Sequence, residues 1–413
     1  MNYKIEIPSF KLDFTVPPSK SVVHRNLIVQ FLRAIKTSGG KDLSAVPEPV
    51  EGPQPNDNDD ILATRACLKA LYEGSQNDEE IIYMPCNESG STLRFMISVG
   101  AAFLNYMGLA QKKKLVFLPK GRLIERPLEQ LIVCLSKRGV DVVVDKAAGT
   151  VTVSGVLIPG CFEIEGNVSS QYISGLLMAQ IVLPGFSVEL KGELESKGYV
   201  DLTKQVIEKF TVPEPVEGPN EGDWSSAAFL LCLGALTPNS QIILHGLNKF
   251  SAQKDKIILE ILEQLGVHSN WNGDTVSLSS ERSEAPSTLE FDATDYPDIV
   301  PYIAIVAAAF TKETKITNIS RLHFKECDRV EAIIQALAAV GVCAVEKDGT
   351  LIIQNQNWQN KKTDEVVETK TFGDHRIAMT AALVAAWTGR PVLIDNKECV
   401  NKSFPGLWEI IHK

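Results

Sequence analysis

One pattern occurs three times in the chain and narrows what it can become. LEQLIVCLSKRGVDVVVDKAAGTVTV (128–153), KIILEILEQLGVHSNWNGDTVSL (256–278) and VEAIIQALAAVGVCAVEKDGTLII (330–353) share one grammar. Each reads as an amphipathic helix that closes at Gly-Val, then a strand, a Gly-containing turn and a second strand. Glycine suits the left-handed cap that ends a helix, and the valine after it opens a β-branched run. The chain has 413 residues, more than one hydrophobic core usually carries. The repeat therefore predicts an α/β protein assembled from helix–hairpin units in two domains.

A second repeat is literal. VPEPVEGP stands at 46–53 and again at 212–219. Alternating Pro and Glu without apolar periodicity cannot build a core element, so both copies are expected in exposed loops that tolerate extra length.

Charge and composition remove several function classes. The net charge is −10, which argues against nucleic acid or an anionic membrane surface as the main partner. The longest apolar run, IVPYIAIVAAAF (299–310), is too short to span a bilayer. The opening MNYKIEIPSFKLDFTV alternates like a strand and has no continuous apolar segment, so no secretion signal is expected. Eight cysteines lie scattered without a C-x-x-C pair, mostly in apolar contexts, and are expected to be reduced core residues of a cytoplasmic protein. The six histidines are dispersed too, and no metal site is expected.

Against that acidic background, cations gather where helices are predicted to begin. SKSVVHR places Lys20 and Arg25 ahead of an apolar helical run, and ESGSTLR places Arg94 after a small-residue loop. Arg122 and Arg126 precede Pro127, a favoured first helical residue. Lys325 and Arg329, His375 and Arg376, and Lys402 repeat the theme. A helix N-terminus is already partly positive, so cations there run against the macrodipole unless an anion is to arrive. Arginine adds forked donors and lysine a compact charge, which together suit a small, multiply anionic ligand. No P-loop or G-x-G-x-x-G fingerprint favours a nucleotide. Carboxylates accompany the cations: Asp295 and Asp328 are expected to cap helices, while Asp298 and Glu326 are the candidates for proton transfer. Ser169, Ser170 and Gln171 form a neutral hydrogen-bonding platform before another helix.

These stretches, with ERP, VSSQ, ESKGYVD, DYPD, FKECDR, GDHRIAM and NKSFP, occur in one order along nearly the whole chain. In that order the sequence resembles the 5-enolpyruvylshikimate-3-phosphate synthase family. The resemblance implies a two-lobed enolpyruvyl-transferase fold, each lobe of three repeated α/β units (an inside-out α/β barrel), closing on the substrates like a clam. It places residues 1–18 and 223–413 in one discontinuous lobe and 19–222 in an inserted one. The reaction implied is transfer of the enolpyruvyl group of phosphoenolpyruvate to the 5-hydroxyl of shikimate 3-phosphate, with release of phosphate, through a tetrahedral intermediate.

Residue by residue, the resemblance assigns Ser21, Arg25, Ser169, Ser170, Ser196, Tyr199, Asp298 and Lys325 to shikimate 3-phosphate. Lys20, Gly90, Arg126, Arg329, Arg376 and Lys402 fall to phosphoenolpyruvate, with Gln171 shared. Asp298 is the expected base for the hydroxyl, and Glu326 with Lys20 the expected source of the methylene proton. Arg94 and His375 support the site. No metal or organic cofactor is implied, and a monomer is expected. Gly90 leaves room in the phosphoenolpyruvate pocket, so sensitivity to glyphosate is expected.

Two positions depart from the family pattern: Glu88 and Arg321 each stand where many members carry Asn. The closest rival reading is a UDP-N-acetylglucosamine enolpyruvyl transferase, which shares fold and donor. That family usually carries a reactive cysteine in a loop equivalent to 108–127, and none is present there. A non-catalytic scaffold of the same fold is the other alternative.

Overall fold

The computed structural model describes residues 2–39, 57–165, 169–185, 187–192, 197–210, 221–355 and 365–412. Both copies of VPEPVEGP and Ser196 lie outside them. The chain divides into two compact units, one of residues 1–19 with 221–413, the other of residues 20–220.

The discontinuous unit opens with β1 (Tyr3–Ile5) and β2 (Lys11–Thr15). The alternation across 1–16 thus belongs to two strands rather than one, with Pro8 between them unable to donate to a ladder. The inserted unit follows with α1 (Lys20–Thr37), α2 (Asp59–Gln76), β3 (Ile81–Asn87), α3 (Gly90–Tyr106) and β4 (Lys114–Pro119). A 3-10 turn at Gly121–Glu125 leads into α4 (Glu129–Ser136) and the hairpin β5 (Val140–Asp145) and β6 (Thr150–Gly155). These strands form a sheet in the order β3-β4-β6-β5. A second crossover runs β7 (Cys161–Glu165), α5 (Ser170–Ala179) and β8 (Ser187–Lys191), with β7 and β8 parallel, and α6 (Lys197–Lys209) follows.

Back in the discontinuous unit come α7 (Trp224–Leu236), β9 (Gln241–His245), α8 (Ile258–Gln264), β10 (Val267–Asn272) and β11 (Thr275–Arg282). The next module is β12 (Thr288–Asp292), α9 (Val300–Phe310), β13 (Glu313–Thr317), α10 (Arg329–Ala338), β14 (Cys343–Lys347) and β15 (Thr350–Gln354). The last is β16 (Val367–Thr369), α11 (His375–Thr388), β17 (Val392–Ile394), a 3-10 turn at Glu398–Lys402 and α12 (Leu407–Ile411).

The sheet orders β2-β9-β11-β10 and β12-β13-β15-β14 match that of the inserted unit, so one parallel crossover plus one antiparallel hairpin is the repeated unit. In the third sheet β1 lies antiparallel to β17 and takes the place a hairpin strand holds elsewhere. The three repeats read from the sequence are the α4–β6, α8–β11 and α10–β15 segments. Their cap glycines, Gly139, Gly266 and Gly341, sit at φ +81°, +78° and +83°, where any other side chain is strained.

The deeply buried crossover helices are the heart of each core. Every residue of α9 from Val300 to Ala308 is buried, and α7, α9 and α11 pack on one another. In the inserted unit α3 packs against α5, with α1 and α2 alongside. The helix starts that carry Arg94, Ser170 with Gln171, and His375 with Arg376 therefore sit on deeply anchored elements. Cys67, Cys86, Cys134, Cys232 and Cys327 are buried, whereas Cys343 is exposed, contrary to the expectation that the thiols line the core. Cys343 points outward because β14 has one solvent face.

Candidate active site

The inserted unit draws together residues that are far apart in sequence. Lys20 is the first residue of α1, and its Nζ lies 3.0 Å from the Asp60 carboxylate in the first turn of α2. Arg25, one turn along and buried, donates from Nε to Thr203 Oγ1 (2.7 Å) and from Nη1 to the Ser21 carbonyl (2.7 Å). Its Nη2 reaches Ser174 Oγ and the Tyr199 carbonyl, both at 3.3 Å, and its guanidinium lies 5.0 Å from the centre of the Phe95 ring. Burial pulls its pKa down to about 10. All its hydrogen-bond partners are neutral, so its charge stays available to an incoming anion.

A second group forms where α3 and α5 begin. Ser89 caps α3 and Ser169 caps α5. Arg94 Nη1 donates to Gln171 Oε1 (3.1 Å), and Gln171 Nε2 donates to Ser91 Oγ (2.9 Å). A Cβ placed on Gly90 would stand 2.8 Å from both Arg126 Nη1 and Arg94 Nη1. Gly90, Arg94, Arg126 and Gln171 therefore share one location, with Ser170 in the first turn of α5. Arg126 is not at a helix start as the sequence suggested. It follows the 3-10 turn, and α4 opens only at Glu129, capped by the backbone of Leu128.

His24, which carried no assignment, is fully buried and its Nδ1 lies 2.6 Å from Thr64 Oγ1. Thr64 meets Thr92 Oγ1 at 2.7 Å, and Thr92 donates to Ser89 Oγ at 2.7 Å. A chain of hydroxyls thus links α1 through α2 to the cap of α3. Burial, with Lys20 and Arg25 nearby, takes the imidazole down to about 3, so it is neutral.

In the discontinuous unit the cluster is ionic. Asp298 Oδ1 accepts from Lys325 Nζ (3.1 Å) and Arg329 Nη1 (3.0 Å). Arg329, the first residue of α10 and 1 % exposed, also donates to Glu326 Oε2 (2.9 Å) and to both oxygens of Asp374 (2.8 and 3.3 Å). Lys402 Nζ lies 3.4 Å from the other oxygen of Glu326. Burial works to raise the Asp298 carboxyl, but Lys325, Arg329 and Arg376 outweigh it and hold the group well below the usual carboxylate range. Burial brings Lys325 below its ordinary value despite Asp298.

Some expectations fail locally. Asp328 caps α10, accepting from Glu331 N at 3.1 Å, but Asp295 caps nothing: α9 opens behind Ile299 with no side-chain cap. Lys325 and Lys402 do not enter helices against the dipole; each closes a 3-10 turn, the negative end where a cation is favoured. His375 is buried beside Asp374. Arg321 donates to the Thr294 carbonyl (2.7 Å), and Glu88 lies against the Gly121 turn.

Three residues escaped the sequence reading. Asp374 is fully buried, caps α11 through the Arg376 amide (2.8 Å) and grips Arg329. Tyr302 accepts from Arg376 Nη1 at 2.9 Å. Asp255 is buried against Ser225 Oγ, and burial with Asp298 nearby raises it to about 7. The Asp before His-Arg in GDHRIAM was a legible cap signal; nothing in the sequence marks Tyr302 or Asp255.

Comparison with known proteins identifies the family. The family profile described as EPSP synthase (3-phosphoshikimate 1-carboxyvinyltransferase) matches residues 10–411. A 3-phosphoshikimate 1-carboxyvinyltransferase from Clostridium beijerinckii is 32 % identical over 433 residues, covering 99 % of this chain and 96 % of the relative. One from Clostridium perfringens is 34 % identical, covering 95 % and 93 %. Among solved structures, an EPSP synthase from Acinetobacter baumannii superposes with a TM-score of 0.68 at 22 % identity, covering 100 % and 98 % of the two chains. The enolpyruvyl transferase NikO from Streptomyces tendae gives 0.62 at 16 %, covering 100 % and 97 %, a likeness of fold.

Proposed function

Because the chain belongs to the EPSP synthase family, we propose that it moves the enolpyruvyl group of phosphoenolpyruvate to the 5-hydroxyl of shikimate 3-phosphate and releases phosphate. The family match across residues 10–411 carries this reading.

The assignment of residues is supported by their surroundings. Arg25, held by neutral groups only, suits the phosphate of shikimate 3-phosphate, with Ser21 and Tyr199 beside it; Ser169, Ser170 and Ser196 are assigned to the same ligand by the family resemblance. In the inserted unit Lys20, Gly90, Arg126 and Gln171 suit the anionic groups of phosphoenolpyruvate, and in the discontinuous unit, taken by itself, Arg329, Arg376 and Lys402 do so too. Asp298 and Lys325 suit the hydroxyl face of the acceptor.

Addition requires the acceptor oxygen to bond C2 of phosphoenolpyruvate while its proton leaves to Asp298 and the C3 methylene gains one from Glu326 or Lys20. Elimination then breaks the C2–O bond to phosphate and returns a methyl proton to the protein, restoring the double bond. As it stands, Asp298 is a poor base, because three cations hold it ionised. Substrate anions that occupy those cations would let its proton affinity rise, so the base strengthens only when the site is filled.

The eight free cysteines suit a reducing compartment such as the cytoplasm. Among the described residues no helix is long and apolar enough to cross a membrane.

The test is phosphate release from phosphoenolpyruvate with shikimate 3-phosphate or UDP-N-acetylglucosamine as acceptor. Release is expected with the first alone. Release with the second would reassign the enzyme, and release with neither would point to a scaffold.

A further inference from the structure

Two arginines of the discontinuous unit sit side by side but are held in opposite ways. Arg329 is gripped by the carboxylates of Asp298, Glu326 and Asp374. Arg376, at the start of α11 and 4 % exposed, has no carboxylate within ion-pair distance among the described residues. Its guanidinium donates from Nη1 to the Tyr302 hydroxyl at 2.9 Å and lies 5.6 Å from the centre of the same ring.

Tyr302 projects from α9 and is completely buried. Its hydroxyl donates to Met379 Sδ at 3.2 Å, one turn along α11 from Arg376, which leaves an oxygen lone pair for the guanidinium. Burial pushes the phenol up to about 12, so it is neutral throughout the working pH range. A carboxylate in that place would fix the guanidinium and cancel its charge at once. A neutral oxygen fixes the direction and leaves the charge.

We propose that Tyr302 is a positioning residue that aims Arg376 at the anionic groups of phosphoenolpyruvate without tying it into a direct ion pair. The inference rests on the assignment of Arg376 to phosphoenolpyruvate made above. A purely structural role for Tyr302, as a core ring against Phe229 at 5.8 Å, is met equally well by phenylalanine. The hydroxyl alone separates the two roles.

The experiment is a double-mutant cycle on the full chain with Tyr302→Phe, Arg376→Lys and both together, measuring KM for each substrate, kcat and thermal unfolding. Tyr302→Phe is expected to raise the KM for phosphoenolpyruvate roughly tenfold. The KM for shikimate 3-phosphate and the unfolding temperature should hold. In the Arg376→Lys background the same change should shrink to less than about twofold, because the shorter ammonium does not reach the aimed position. An unchanged KM for phosphoenolpyruvate, a rise in both KM values with a lowered unfolding temperature, or a rise that persists undiminished beside Arg376→Lys would each overturn the inference. If Arg376→Lys itself leaves the phosphoenolpyruvate KM at the wild-type value, the assignment of Arg376 falls and the inference with it. A KM raised by Arg376→Lys but not by Tyr302→Phe overturns the inference alone.

Discussion

Single residues carry the sharpest consequences. Lys20→Ala removes a candidate proton donor and the ammonium beside Asp60, so turnover is expected to drop by about 10³ while circular dichroism still reports a folded chain. Near-normal turnover would take Lys20 out of the mechanism. Gly90→Ala introduces a methyl 2.8 Å from two guanidinium nitrogens. Those side-chain tips can yield by a few tenths of an ångström, so the protein should fold, bind phosphoenolpyruvate roughly tenfold more weakly and resist glyphosate; steady-state kinetics with and without the inhibitor checks both.

Two buried groups, His24 and Asp255, make stability depend on pH in opposite senses. The His24 imidazole falls from 6.5 to about 3 on folding, so the unfolded chain takes up a proton that the folded chain refuses. Its contribution to stability is present above about pH 6.5 and is lost as pH falls through that window. Asp255 rises from 3.8 to about 7, so the folded chain keeps a proton that the unfolded chain gives up, and stability declines as pH climbs from about 4 to 7. The slopes partly cancel in the wild type. Urea unfolding across pH 4 to 7.5 should show stability falling with pH in His24→Gln and rising with pH in Asp255→Asn; parallel curves would refute both.

At the scale of elements, three glycines with one job differ in surroundings. A Cβ on Gly266 would stand 2.3 Å from the Ser283 carbonyl oxygen and one on Gly139 2.6 Å from that of Val156, whereas Gly341 has open space. Gly341→Ala should cost only the strain of its positive φ, about 1 kcal/mol. Gly139→Ala and Gly266→Ala must also move backbone, and should cost about 3 kcal/mol or more by chemical denaturation. Equal losses at all three would mean that the φ strain alone governs. These caps were readable because helix, Gly-Val and hairpin are adjacent in sequence. The pairing of β2 with β9 was not, because the whole inserted unit separates the two strands. The site divides the same way. Asp298, Glu326, Arg329 and Arg376 sit in short motifs whose charges stand out against an apolar run. Tyr302 looks like any core residue until α9 packs on α11, and Pro127 resembles a first helical residue although α4 opens two residues later, at Glu129.

For the whole molecule, an overall charge of −10 coexists with cations held at the candidate site, so substrate attraction is local and short in range. Raising ionic strength from 0.05 to 0.5 M should therefore raise both KM values only a few-fold, as expected for partly buried charges that salt screens weakly. A change of a hundredfold would point to long-range steering instead. Deleting both VPEPVEGP copies should leave turnover within about twofold, if they are loop length and nothing more. The placement of β1 reaches beyond the finished fold into how the chain is made. Its partner β17 leaves the ribosome roughly 390 residues later, on the order of half a minute at ordinary rates of synthesis. Residues 20–220 can complete a core in that interval, while the first two strands wait without their neighbours. Both waiting strands alternate charged with apolar residues, Tyr-Lys-Ile and Lys-Leu-Asp-Phe-Thr, which keeps a solitary strand soluble and a poor template for aggregation until β9 reaches β2 and, last of all, β17 reaches β1.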